Sequence, residues 1–300
     1  MQGFFQNLVL GIQLGAVYAM IAVGYTMVYG VLRLINFAHG DVYMVGAYVG
    51  LTLSSRVGLA FTRTPGGFAL LFVATLVICA LLGLLIERLA YRPLRTAPRI
   101  TALITAIGVS LLLEALALAI WGPAPRFFPT LFDLPTQNVA GLELNGKYLV
   151  ILLVSLILMI ILWAVVTQTR VGKAMRAVAY DRDAAALMGI NVNRIIGFTF
   201  ALGSMLAAAA GLLVSALLNY KIDPYAGVFP GLKAFVAAVL GGIGNIPGAV
   251  VGGLVMGVAE TFVASSAYSN WRDAIAFVLL IGILICRPAG LLGRATVEKV

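Results

Sequence analysis

The chain consists almost entirely of apolar segments joined by short polar connections. Of its 300 residues, 62% are apolar and 10% are charged, whereas soluble domains carry roughly 25% charged residues. A helix needs about 20 apolar residues to cross a hydrocarbon core that is about 30 Å thick. The segments that approach this requirement are 7–31, 41–53, 67–86, 101–121, 148–167, 195–218, 228–240, 249–263 and 274–285.

These segments predict an all-α fold, a polytopic integral membrane helical bundle of eight or nine membrane segments. Several of them are too short for a straight crossing, so we expect tilted, broken or re-entrant helices packed inside the bundle. No stretch remains for a second soluble domain. We therefore interpret residues 1–300 as one membrane domain.

The basic residues predict the topology, because Lys and Arg near span ends resist translocation. Even numbers of spans separate three basic clusters, which places all three in the cytoplasm and the N-terminus outside. An external loop at 122–147 is the natural surface for a periplasmic partner. The net charge of +9 follows from this topology, so nucleic acid is not an expected partner. The clusters are Arg88, Arg92, Arg95 and Arg99; then Arg170, Lys173, Arg176, Arg182 and Arg194; then Arg287, Arg294 and Lys299.

The sequence matches the motifs of enzymes only incompletely. One histidine cannot supply a zinc-binding HExxH pair. The segment GLELNGKY matches an ATP-binding loop in part, but Tyr148 stands where a Ser or Thr would hold magnesium. We therefore predict no catalytic, cofactor-binding or metal-binding residue, and no enzymatic activity in this chain.

The longest cytoplasmic segment, 169–194, has the signals of a short helix. Asp181 is a candidate N-cap, Asp183 lies in the first turn, and Gly189 marks the end. Ala184, Ala185, Leu187 and Met188 would give this helix a compact apolar surface for docking. Composition alone favours neither this interpretation nor a solvated connector whose charges obey the topology.

Asp183, Ala184 and Ala185, followed by Gly189, resemble the EAA loop of bacterial ABC importer permeases, with Asp in place of Glu. INFAHGDVYMVGAYVG at 35–50 and RVGKAMRAVAYDRDAAALMGINVNRI at 170–195 are similar to the signatures of the branched-chain amino acid permease family, of the LivH type. The similarity extends from residue 14 to about residue 291.

The resemblance implies an ABC importer permease domain in the bacterial inner membrane. It implies a heterodimer with a second permease, two ATP-binding subunits that carry ATP and magnesium, and a periplasmic substrate-binding protein. The cytoplasmic segment 169–194, with Arg176 and the EAA-like residues, would then dock on an ATPase subunit. Branched-chain amino acids are the expected substrates, and permeases for urea or short amides share the same motifs.

Polar side chains next to apolar runs are candidates for the pathway or the gate. Asn36, His39 and Asp41 lie between the first two segments. Either Asn36 and Asp41, together with Arg33, satisfy free helix ends in a tight turn, or the histidine and the carboxylate face inward, because a charge at mid-membrane costs about 2.5–3.5 kcal/mol. In the second case we expect Asn36 and His39 to hydrogen-bond exposed carbonyls.

Two further candidates for the pathway or the gate are carboxylates that fall within predicted spans. Glu114 is expected near the membrane interface, about two turns before Trp121, and Glu260 is expected to be buried against a sister helix. An alternative class, a proton-coupled secondary transporter, would use Glu114, Glu260 or His39. Such a protein should show matching halves and needs no docking loop.

Overall fold

The computed structural model of the chain describes residues 2–95, 97–132, 134–139 and 142–293. Arg294 and Lys299 of the third basic cluster, and Gly141 of the partial ATP-loop match, lie outside these residues. The helices are α1 (Gln2–Leu32), α2 (His39–Val57), α3 (Leu59–Thr62), α4 (Pro65–Ile86), α5 (Arg99–Trp121), α6 (Gly146–Gln168), α7 (Arg170–Tyr180), α8 (Arg182–Leu187), α9 (Val192–Leu218), α10 (Val228–Gly241), α11 (Ile246–Ala264) and α12 (Ala274–Cys286).

Helix α4 continues into a π-helical turn, Glu87–Tyr91, and a 3-10 turn, Arg92–Leu94. A short antiparallel hairpin pairs strand β1 (Thr136–Val139) with strand β2 (Leu142–Asn145) in the predicted external loop. A second 3-10 turn, Ser269–Trp271, precedes α12.

The predicted helical membrane bundle is confirmed. Helices α1, α4, α5, α6, α9 and α11 are long and apolar enough to cross a membrane, and α10 and α12 are shorter apolar helices. With 14 and 13 residues, the last two are only about 20 Å long, less than the hydrocarbon thickness. All nine predicted apolar segments are therefore helical, and the expected short ones are present.

Local sequence explains where many helices begin. A side-chain oxygen of Thr64, Asn145, Thr169, Asp181, Asn191 or Asn245 accepts a hydrogen bond from a backbone N–H in the first turn of the helix that follows. This bond satisfies one of the donors that a helix start leaves free.

The bundle core is formed by α1 and α9. Helix α1 packs on α11 and α9, while α2 and α4 pack on the other side of α9. Alanine and glycine dominate the buried face of α9 from Ala207 to Gly211, which lets neighbouring backbones approach closely. Helices α5 and α6 are mostly exposed along their apolar lengths, as expected of helices that face lipid or another membrane subunit.

Polar contacts define the two ends of the bundle. At one end the Gln6 amide bonds the backbone of Glu143, and Arg63 donates to the carbonyl of Thr130. At the opposite end Arg182 and Arg95 bond Leu32 and Asn193. The N-terminal end of α1 therefore shares an end with the 122–147 loop and lies opposite the 169–194 segment, as the topology predicts.

Helix α2 begins inside the bundle. The ring of His39, its first residue, packs on Tyr25 at 4.6 Å between centroids, and Tyr25 lies two turns before the end of α1. Residues 33–38 therefore turn back by about 10 Å into the bundle. The start of α10 meets the start of α2 there, and a Cβ on Gly40 would lie 2.6 Å from the Gly227 carbonyl oxygen and 2.9 Å from the Gly231 Cα. Only glycine fits this crossing.

Candidate functional site

The 169–194 segment is more helical than the sequence predicts. Its first part forms α7, which the sequence analysis did not identify, and its second part forms the expected short helix α8. The carboxylate of Asp181 accepts from the N–H groups of Asp183 and Ala184, both at 2.9 Å. Gly189 has φ +82° and ends the helix, with the Ile190 N–H returning to the Ala185 carbonyl at 3.0 Å. The predicted cap and stop are confirmed.

Helix α8 separates a buried face from an exposed one. Ala185 is 4% exposed and packs into the bundle, so it seats the helix and does not contribute to the predicted docking surface. Leu187 is 90% exposed and Met188 is 82% exposed, and Asp183 and Ala184 are exposed beside them. Large apolar side chains this exposed at the polar end of a bundle indicate an interaction surface.

Other charged residues of the segment attach it to the membrane helices. The guanidinium of Arg176 donates to the Val166 carbonyl near the end of α6. Arg182, the first residue of α8, donates from Nη2 to the Leu32 carbonyl at 2.7 Å. Burial, and then the nearby charge of Arg33, lower the pKa of Arg182.

In the sequence, Arg182 is recognisable only as one of the basic residues that set the topology. Its partner is a backbone carbonyl 150 positions away, and no sequence motif marks such an acceptor.

The three polar residues between the first two helices are buried. Asn36, His39 and Asp41 are each at most 3% exposed. The side-chain carbonyl of Asn36 accepts from the Tyr91 hydroxyl at 2.9 Å, so the expected bond to an exposed carbonyl is replaced by one to a side chain of the π-helical turn. The Nε2 atom of His39 has no hydrogen-bond partner in the described part of the chain. The inward orientation is confirmed for all three.

Asp41 and Glu114 occupy neighbouring helices. The Asp41 carboxylate, in the first turn of α2, accepts from the hydroxyl of Ser110 on α5. Glu114 lies one turn further along α5 and is partly exposed. Asn36, His39, Asp41 and Glu114 thus belong to one region around the start of α2, and a polar face of α5 is part of it.

Glu260 lies apart from this region, in a buried ionic cluster. It is 0% exposed, and its Oε1 contacts Lys233 Nζ at 2.8 Å and Arg272 Nε at 2.6 Å. The Tyr18 hydroxyl donates to Oε2 at 2.7 Å. Lys233 also contacts Asp273 at 2.6 Å, and this hydrogen bond lowers the pKa of Asp273. The expected sister helix is not needed, because helices of this chain alone enclose Glu260.

In the part of the chain that the structure describes, no three His, Cys, Asp or Glu side chains are grouped so that they could hold a metal ion.

The fold and these surfaces define a polytopic helical membrane protein with a short helix, α8, that exposes apolar side chains at its basic end. The chain belongs to the family described as branched-chain amino acid transport system / permease component, whose model matches residues 7–284.

Curated relatives match over nearly their full lengths. The chain is 42% identical to the high-affinity branched-chain amino acid transport system permease protein LivH of Escherichia coli (strain K12), over 99% of this chain and 98% of that protein. It is also 42% identical, over the same shares, to the corresponding permease protein BraD of Pseudomonas aeruginosa. A probable LivH permease of Methanocaldococcus jannaschii is 29% identical over 91% of this chain and 88% of that protein.

Proposed function

We propose that this chain is a permease subunit of an ABC importer that carries branched-chain amino acids across the bacterial inner membrane. The observation that carries the proposal is the α8 surface. Leu187 and Met188 project from the basic end of a membrane bundle, and Asp181 and Gly189 fix the ends of the helix that bears them. Such a helix suits insertion into a groove of a soluble partner.

The partners follow from what this chain lacks in sequence. It carries only a partial match to an ATP-binding loop, so ATP and magnesium would be held by two separate ATP-binding subunits. The exposed apolar lengths of α5 and α6 leave room for a second, homologous permease subunit, with which this chain would form a heterodimer. The hairpin end of the bundle would receive a periplasmic substrate-binding protein.

The substrate is proposed from the relatives and agrees with the chemistry of the region around α2. LivH and BraD are named as branched-chain amino acid permeases. An aliphatic amino acid presents an apolar side chain and a zwitterionic backbone, and the start of α2 combines apolar walls with Asp41 and the neighbouring Glu114. In this proposal Asn36, His39, Asp41 and Glu114 line or gate the pathway.

The geometry of Glu260 argues against a proton-coupled secondary transporter. A proton-carrying carboxylate must exchange between charged and neutral forms during transport. Glu260 is fully buried, and both of its carboxylate oxygens already have partners, Lys233 and Arg272 on one and Tyr18 on the other. We therefore assign Glu260 to the support of the fold.

Reconstitution tests the proposed function. The chain is placed in proteoliposomes with its candidate sister permease, ATPase subunits and binding protein, and uptake of labelled leucine and urea is measured. We expect leucine uptake that requires ATP and persists with a proton uncoupler. Uptake by this chain alone, if the uncoupler abolished it, would contradict the assignment as an ABC importer subunit. ATP-driven uptake of urea but not of leucine would contradict the proposed substrate class.

Introducing charged side chains on the exposed face of α8 should weaken the binding of the ATPase subunits. For the double variant Leu187→Asp and Met188→Asp, we expect co-purification of the ATPase to fall by about tenfold or more, because two apolar contacts are replaced by desolvated charges. The chain itself should still fold, since both side chains are exposed. The double variant Leu187→Met and Met188→Leu, which keeps the surface apolar, is the matched control. Equal ATPase recovery with both double variants would place the interface elsewhere.

A further inference from the structure

The chain reverses direction directly after α1, and this reversal is held from the 169–194 segment. Arg33, the first residue after α1, has φ +54°, a left-handed backbone conformation that residues other than glycine rarely adopt. Such a conformation persists only where the surroundings stabilise it. The preceding residue, Leu32, presents its carbonyl at the end of the helix, where no further turn supplies a donor.

Arg182 supplies that donor. Its Nη2 atom lies 2.7 Å from the Leu32 carbonyl oxygen and 3.4 Å from that of Val31. A positive charge at a helix C-terminus also interacts favourably with the helix dipole. Because Arg182 is the first residue of α8, the docking helix is bonded to the last turn of α1.

A second polar path joins the C-terminal end of the segment to the same reversal. Asn193, in the first turn of α9, accepts from Arg95 Nη1, and Arg95 pairs with the buried carboxylate of Glu87 in the π-helical turn. The same turn contains Tyr91, whose hydroxyl donates to Asn36 within the 33–38 reversal. The 169–194 segment is therefore linked to the reversal twice, through Arg182 at the end of α1 and through Asn193, Arg95 and the π-helical turn.

Movement of the reversal must move the start of α2. His39 and Asp41 follow it directly, and they contact Tyr25 of α1 and Ser110 of α5. Gly40 lies between them, against the start of α10. A displacement of residues 33–38 would thus change the contacts among α1, α2, α5 and α10 inside the membrane.

We propose that Arg182 is the positioning residue through which the docking helix α8 moves the 33–38 reversal and, with it, the start of α2. This inference rests on the proposed function and identifies the membrane element on which the ATPase subunits act. The guanidinium carries the motion as a charge-assisted bond to the end of α1, while Arg95, Glu87 and Tyr91 form the second link to the reversal.

The test compares Arg182→Gln with the wild-type chain in the reconstituted complex, with ATP hydrolysis and leucine uptake measured on the same sample. We expect leucine taken up per ATP hydrolysed to fall by about tenfold, the size of effect expected when one charge-assisted hydrogen bond is lost. Hydrolysis and ATPase co-purification should remain near the wild-type values. Arg182→Lys, which keeps the charge, should restore part of the ratio. Arg194→Gln removes an exposed arginine of the same segment and should leave it unchanged.

Hydrogen exchange on the purified full chain provides an independent measurement. In Arg182→Gln, backbone amides at 33–38 should exchange about tenfold faster, because the reversal loses one of its two supports. An unchanged uptake ratio, or unchanged exchange at 33–38, would overturn the proposal. If the wild-type complex showed no ATP-driven uptake, the proposed function would fail, and the exchange experiment would still decide whether Arg182 holds the reversal.

Discussion

Replacing Lys233 with methionine is expected to destabilise the folded chain by about 3 kcal/mol, because removal of one partner of a buried ion pair leaves an uncompensated charge. Glu260 is fully enclosed between α1, α10 and α11, and Lys233 is its most buried cation. Arg272 also contacts the carboxylate, but its side chain is half exposed. The measurement is thermal unfolding of the purified chain in detergent or nanodiscs.

A double variant separates lost charge pairing from lost packing. In Lys233→Met with Glu260→Gln, the buried charge disappears together with its cation. The glutamine carbonyl, in the place of Oε1, still accepts from Arg272, and its NH2 group, in the place of Oε2, can donate to the Tyr18 hydroxyl. Neutral replacements of a buried pair are often tolerated, so we expect this variant to recover most of the stability and to retain ATP-driven uptake. A single Lys233→Met variant as stable as wild type, or a double variant that is less stable than the single one, would contradict this account.

Replacing Gly257 with valine is expected to separate α1 from α11 and to prevent accumulation of the folded chain. A Cβ at this position would meet backbone atoms of Gly15 and would lie 2.6 Å from the Gly11 carbonyl oxygen. Backbone atoms cannot rotate away as a side chain can, so the helices must move apart. Overpacking costs about 1–3 kcal/mol and occasionally more. Because the substitution displaces the whole long interface between α1 and α11, we expect its cost to lie at the upper end of that range.

The chain offers a matched control for this substitution. Gly282 lies in α12, and a Cβ there would have no atom within 4 Å. We expect Gly282→Val to accumulate in membranes and to unfold like the wild type, whereas Gly257→Val should be degraded or should unfold at a much lower temperature. Similar behaviour of the two variants would show that the glycines of α1 and α11 do not set the helix distance.

The glycines at the contact between α1 and α11 show how much of the helix packing can be predicted from the sequence. The four-residue spacing of Gly11 and Gly15, and of Gly253 and Gly257, indicates close helix packing, because small residues let backbones approach. The structure pairs these two sets across α1 and α11. The spacing alone does not select the partner, since Gly46 and Gly50 have the same spacing and pack instead on Ala208 and Leu212 of α9.

The candidate site likewise contains features that the sequence predicts and contacts that only the tertiary structure shows. Asp181, Asp183 and Gly189 were recognisable because a cap, a first turn and a stop act over a few residues. Helix α7 was missed because its basic residues were interpreted as topology signals. The contact from Arg182 to Leu32 and the bond from Tyr91 to Asn36 depend on helices meeting in space, so no local pattern reveals them.

The sequence by itself determined the membrane class, the positions of the nine apolar helices and the boundaries of α8. Membrane partitioning and helix capping depend on short stretches of chain, because transfer from water and the first-turn hydrogen bonds are local. Only the tertiary structure decided that Glu260 lies among Tyr18, Lys233 and Arg272, and that Arg182 of α8 bonds the end of α1. Tyr18 and Glu260 are separated by 242 positions, and the packing of α1 against α11 brings them together.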